Sequence, residues 1–133
     1  MKGEDIAERL IDFAVRIIRL GAALPKNQVG KHVAGQIVRS GTSVGANYEE
    51  ARAAESRADF THKLTIALKE LRESLFWLKV IDRAEMLPHK RMVEIIREAD
   101  ELCAILTTSV VTAKKKAPKK ARKTPNSGIG SEE

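Results

Sequence analysis

Apolar residues recur along this chain at steps of three and four, and no segment alternates with a period of two. The spacing predicts four helices and no strand. The first runs from about Asp5 to Leu20, with Ile6, Leu10, Phe13, Ile17 and Leu20 on one stripe. Ile11 and Ile18 form a second stripe beside it, and Gly21 and Pro25 end the segment. The second helix starts at Asn27 or Gln28 and continues to about Ala54. Its apolar stripe is thin: Val29, Val33, Ile37 and Val44, with Gly30, Gly35, Gly41 and Gly45 among them. Interior glycines weaken a helix. The segment therefore either breaks near Gly41-Thr42 or stays whole and uses its glycines for close packing.

Ser56 followed three residues later by Asp59 is an N-terminal capping signal. It opens a third helix that reaches about Asp82. Phe60, Leu64, Ala67, Leu71, Leu75 and Leu78 line one face, widened by Ile66, Trp77, Val80 and Ile81. Pro88 suits a first helical position. The fourth helix runs from there to about Ala113, with Met92, Ile96, Ala99, Cys103, Leu106 and Val110 as its stripe. Ile95, Leu102 and Ile105 form a second one. Four helices with short connections predict an all-α, antiparallel up-down four-helix bundle. The doubled stripes on helices 1, 3 and 4 exceed what a lone bundle buries, which predicts self-association.

Composition narrows the class. A chain of 133 residues holds one domain with a modest core. Aromatics are 4% of it, so Leu, Ile, Val and Ala must fill that core. No apolar run is long enough to span a bilayer. The start M-K-G-E-D-I-A-E is acidic where a signal peptide would be basic and then apolar. The single Cys103 cannot form an internal disulfide. Together these predict a cytoplasmic protein with no membrane partner.

Charge divides the chain in two. The formal net charge is +6, with 24 basic and 18 acidic residues. Lys114, Lys115, Lys116, Lys119, Lys120, Arg122 and Lys123 lie at the C-terminal end, against only Glu132 and Glu133. The first 113 residues are therefore close to neutral. The stretch 114–133 also holds two prolines and two glycines and almost no hydrophobic residue, a composition that predicts disorder. The expected organisation is a bundle over 1–113 and a basic tail over 114–133. Such a tail suits contact with nucleic-acid phosphates, or is simply solvated charge.

Other candidates read best as structure. Asn47, between small residues that include Ser43 and Gly45, could touch a ligand or a base. As a polar residue in a packed helix it more simply fixes register. Lys63 and Glu70 are seven apart and share a helix face. With no nucleophile beside them, they read as an ion-pair layer between helices or subunits and not as acid–base chemistry. Asp59 and His62 give one imperfect arm of a di-metal bundle site, which needs two such arms and two further carboxylates. No metal and no cofactor is expected. Cys103 falls on a core stripe, away from the basic, partly exposed setting of a catalytic thiol. Trp77 could stack on a base, but its apolar neighbours favour packing. No Gly-rich phosphate loop follows a strand. No catalytic residue is predicted.

Several short runs at fixed separation carry a family resemblance. They are Arg39-Ser40, S-V-G-A-N at Ser43 to Asn47, Glu50-Ala51, K-L-T-I-A-L-K-E at Lys63 to Glu70, and Trp77-Leu78. From about Ile6 to about Lys114 the chain resembles the bacterial four-helix bundle proteins encoded in 23S ribosomal RNA intervening sequences. Gly41 stands where Ala is usual, and Tyr48 where a small aliphatic residue is usual. The resemblance implies one long second helix and a homo-oligomer, with a ring of five as the suggested form. It brings no catalytic residues. The fold is shared distantly with an accessory protein of diversity-generating retroelements, which assists a reverse transcriptase and binds nucleic acid. The functional expectation is a non-enzymatic oligomeric bundle that binds RNA or DNA, or works beside a nucleic-acid-processing protein. The alternative is a structural or adaptor oligomer that binds a protein partner without touching nucleic acid.

Overall fold

A computed structural model describes residues 2–116. It contains four helices: α1 (Gly3–Ala22), α2 (Gln28–Arg52), α3 (Arg57–Arg83) and α4 (His89–Lys116). No strand occurs among the described residues. α2 packs against α1 and α3, α3 against α4, and α1 meets α4 more sparingly.

Local chemistry sets the helix ends. Glu4 and Asp5 in the first turn of α1 complement the positive end of its dipole. Asn27 Oδ1 accepts the Gly30 N–H at 2.8 Å and caps α2. Ser56 Oγ accepts the Asp59 N–H at 3.0 Å and caps α3, as its spacing predicts. At the end of α3 the Met86 N–H reaches the Ile81 carbonyl at 2.9 Å and the Glu85 N–H reaches that of Asp82 at 3.0 Å. This is a Schellman turn, and Glu85 takes its left-handed position at φ 55°.

The core is aliphatic, with Phe13 the one fully buried aromatic among the described residues. Leu10 and Ile17 meet Ile37 and Val44 of α2, Leu71 and Leu78 of α3, and Met92 and Leu106 of α4 in one continuous cluster. α2 runs unbroken through Gly41, because Gly41 is where α1 comes closest. A β carbon there would lie 2.7 Å from Ile17 Cγ2. Gly21, expected to end α1, lies inside it and seats Val38 in the same way.

Several expected positions shift. α1 starts and ends two residues further out than predicted, at Gly3 and Ala22. α4 begins at His89, so Pro88 precedes it. α4 also runs three residues past Ala113, and Lys114, Lys115 and Lys116 form its last turn. Lys119, Lys120, Arg122 and Lys123 lie outside the described residues, as does the disorder expected of the tail. Val29 is 65% exposed although placed on the core stripe of α2. Steps of four advance about 40° around a helix, so Val29 stands about 80° from Ile37. On α4 the second stripe is the more central: Ile95 and Leu102 are buried, while Ile96 and Cys103 are half-buried.

Candidate functional site

Of the residues read as helix-packing positions, Lys63, Glu70 and Trp77 lie on the α2–α3 seam. Lys63 Nζ meets Glu50 Oε1 at 2.7 Å, and this carboxylate raises the Lys63 pKa. Glu70 meets Arg39 at 3.2 Å, and Arg39 also holds Glu73. Lys63 and Glu70 thus each bridge from α3 to α2 through a different partner. Trp77 is half-buried, donates its Nε1–H to Glu73 at 3.1 Å, and stands edge-on to His32 and Phe76. Ser43 returns its hydroxyl to the Arg39 carbonyl at 2.6 Å. Asn47 is half-buried, and its Nδ2 donates to the Ser43 carbonyl of its own helix at 2.9 Å. Gly45 faces Leu10, at a distance where a β carbon would make ordinary contact.

Inside this seam lies a pair that sequence reasoning missed. Ser40 and Ser74 are fully buried, with their hydroxyl oxygens 3.0 Å apart. The Ser74 hydroxyl also reaches the Glu70 carbonyl at 2.9 Å, and that of Ser40 the Ile37 carbonyl at 3.4 Å. Each serine sits at core spacing: Ser40 three residues after Ile37 and four before Val44, Ser74 three after Leu71 and four before Leu78. The spacing therefore carried a signal for their burial. On the far side of the bundle Arg9 grips Glu98 with Nε at 3.1 Å and Nη2 at 2.7 Å, and reaches Glu101 at 3.3 Å. This fork ties α1 to α4 where the two helices meet least.

The remaining candidates stay apart among the described residues. Cys103 is half-buried beside Arg72 and Lys79, and burial pushes its thiol pKa upward, away from a reactive thiolate. Asp59 is half-buried and His62 exposed. Among the described residues no three His, Cys, Asp or Glu side chains come together to hold a metal. No described helix is long and apolar enough to cross a membrane.

Two surfaces remain. On α1, Ile11, Val15 and Ile18 are 48%, 38% and 50% exposed and form one stripe at steps of four and three. Ile18 lies three residues before Gly21, which seats Val38, so this stripe adjoins the outer face of α2. There Gly35 leaves open space around its α carbon and Thr42 returns its hydroxyl to the Val38 carbonyl at 2.7 Å. The second surface is basic. Lys114, Lys115 and Lys116 are exposed at the C-terminal end of α4. Lys69, Arg72, Lys79 and Arg83 stand exposed along α3 with Phe76 between them. Their three- and four-residue spacing was visible in the sequence, but the apolar stripe of the same helix drew the reading.

Across the described residues the fold is all-helical, four helices without a strand. The chain belongs to the 23S rRNA-intervening sequence protein family, which it matches over residues 3–108. It is also similar to a crystal structure from Bacteroides thetaiotaomicron, described as a protein of unknown function from the S23 ribosomal protein family. The two are 39% identical with a TM-score of 0.74, over 79% of this chain and 97% of the other. No curated protein matches the chain.

Proposed function

We propose that this protein is a non-enzymatic, cytoplasmic homo-oligomer that associates with nucleic acid. One observation carries the nucleic-acid reading: a nearly neutral helical body delivers its excess cations to one end. Lys114, Lys115 and Lys116 are exposed there, and the sequence continues with Lys119, Lys120, Arg122 and Lys123. Cations at such density along the sequence suit a polyanion. The family's name, which refers to 23S rRNA, points the same way.

The bundle is read as up-down and antiparallel. Glu50 pairs with Lys63, Ser40 with Ser74, and Arg39 with Glu70, so numbers fall along α2 as they rise along α3. Asp82 with His89 and Arg72 with Thr107 repeat that relation between α3 and α4. Assembly is assigned to the exposed α1 stripe of Ile11, Val15 and Ile18. A ring of five requires that this face meet a different face of the next copy.

Binding of RNA and DNA oligonucleotides across a salt series tests the function. The full chain and a chain ending at Lys116 are compared. The tail is expected to steepen the salt dependence, by about 0.9 per phosphate neutralised on duplex DNA. Absence of binding by either chain at low salt would instead support an adaptor that docks a protein.

A further inference from the structure

The charges of α3 are sorted by face. Three of its four acids are paired: Glu70 and Glu73 with Arg39, and Asp82 with His89. Of its six basic residues, Lys63 is paired with Glu50, while Lys69, Arg72, Lys79 and Arg83 are exposed along one side. These last four share one stripe with Phe76, at steps of three, four, three and four. None of the four pairs with a described carboxylate, although Arg39, Arg52, Lys63 and Arg97 each do. Arg72 reaches only the Thr107 hydroxyl, at 3.5 Å. Like charges at such spacing repel, and Phe76 in their midst is 57% exposed. Phe76 stands edge-on to Trp77, yet more than half of it stays in water, and no described carboxylate offsets the four cations.

We infer that this face of α3 is a binding site for single-stranded nucleic acid, with its cations on successive phosphates and Phe76 stacked against a base. The inference deepens the proposed association with nucleic acid and rests on it. Cations tracking a backbone beside an aromatic platform are the two elements that hold a single strand without reading its sequence. The stripe spans 14 residue steps, about 21 Å of helix axis, which is several nucleotides long. A groove between α3 and α4 runs beside it, lined by Arg72, Phe76 and Lys79 themselves and by Leu75, Cys103 and Ala104. Asp100 is the only carboxylate lining that groove among the described residues. Thr107 and Lys114 are seven apart on α4, so the cations at the end of α4 continue the same surface.

The test uses the full chain with mixed-sequence 20-nucleotide single-stranded RNA, the matching DNA, and a 20-base-pair duplex. Phe76→Ala is expected to weaken single-strand binding roughly five- to a hundredfold. It should leave duplex binding unchanged, because paired bases offer no face to the ring. Arg72→Gln/Lys79→Gln is expected to flatten the single-strand salt slope by about 1.4. Lys119→Gln/Lys120→Gln/Arg122→Gln/Lys123→Gln serves as the comparison with the tail. Wild-type binding by both α3 variants, with loss in the tail variant alone, overturns the α3 site while leaving the proposed function intact. No binding by the wild type at low salt overturns both. A changed molar mass in the α3 variants, with binding unchanged, would show the stripe to be covered by a second copy and also overturns the site.

Discussion

At the scale of single residues, three glycines of α2 answer differently to the same substitution. Around Gly35 nothing lies within 4 Å of an added β carbon, so Gly35→Ala should stabilise the fold by about 0.5–1 kcal/mol through helix propensity alone. At Gly41 the methyl would press on Ile17, a stiff and fully buried side chain, at 2.7 and 2.9 Å. Overpacking outweighs propensity there, and Gly41→Ala should lose about 1 kcal/mol. Gly30 is the most constrained, because its β carbon would fall 1.9 Å from the Pro25 carbonyl oxygen. Backbone must move, and Gly30→Ala should lose about 2 kcal/mol or more. Urea melts of the three variants check this ranking. Glu85 is the inverse case: it holds a left-handed backbone that glycine adopts without strain. Glu85→Gly should raise stability by about 1 kcal/mol, seen as a higher denaturation midpoint with an unchanged slope. The sequence shows all these glycines but not what each one faces. Steric surroundings come from another helix, and no spacing within α2 contains them.

At the scale of elements, the long periodic stripes were legible and their edges were not. The four helices fall where apolar spacing puts them, since burying such a stripe is the dominant stabilisation available to the chain. The Ser56 cap was equally readable, because a cap is a local interaction, and Asn27, placed at the start of the second helix, caps α2 in the same way. Arg39–Glu70 and Glu50–Lys63 were half legible: the α3 members shared a visible face, but their partners on α2 depend on the register of two helices. The Ser40–Ser74 bridge was invisible for the same reason. That bridge offers a test of how the α2–α3 seam is held. Ser74→Ala leaves the buried Ser40 hydroxyl with only the 3.4 Å contact to the Ile37 carbonyl. Its loss should be about 1 kcal/mol or more. Replacing both serines by Ala removes the unsatisfied group, so the double variant should lie within about 0.5 kcal/mol of the parent. A thermodynamic cycle of the four proteins measures the coupling. Additive losses would show that the two hydroxyls stabilise the seam separately.

At the scale of the whole molecule, the doubled stripes led to an expectation of self-association on three helices. Most of that extra apolar surface turns out to be used internally. Ile95 and Leu102 of α4 are buried, and Val80 of α3 is half-buried. Among the described residues only α1 leaves a continuous apolar stripe in water: Ile11, Val15 and Ile18 beside Val38. About half of the surface of these three β-branched residues is left uncovered by the isolated bundle. Burying it in an interface would release roughly 25 cal/mol for each Å² removed from water. Ile11→Glu/Ile18→Glu should therefore separate assembly from folding. The positions are about half exposed, so helix content and unfolding of the bundle itself should change little. The oligomer, however, would have to bury two unpaired carboxylates in each interface, which opposes association strongly. Light scattering at micromolar concentration should give the parent protein a multiple of 14.7 kDa and the double variant 14.7 kDa itself. A parent that already scatters as 14.7 kDa would remove assembly from the proposed function. A variant that keeps the parent's mass would move the interface away from α1. The remaining exposed apolar residues would then mark where copies meet, with Phe76 on α3 and Val111 on α4 the first to change. Phe76 would in that event be shared between an interface and the nucleic-acid site inferred for α3, and strand binding and assembly would compete for the same ring.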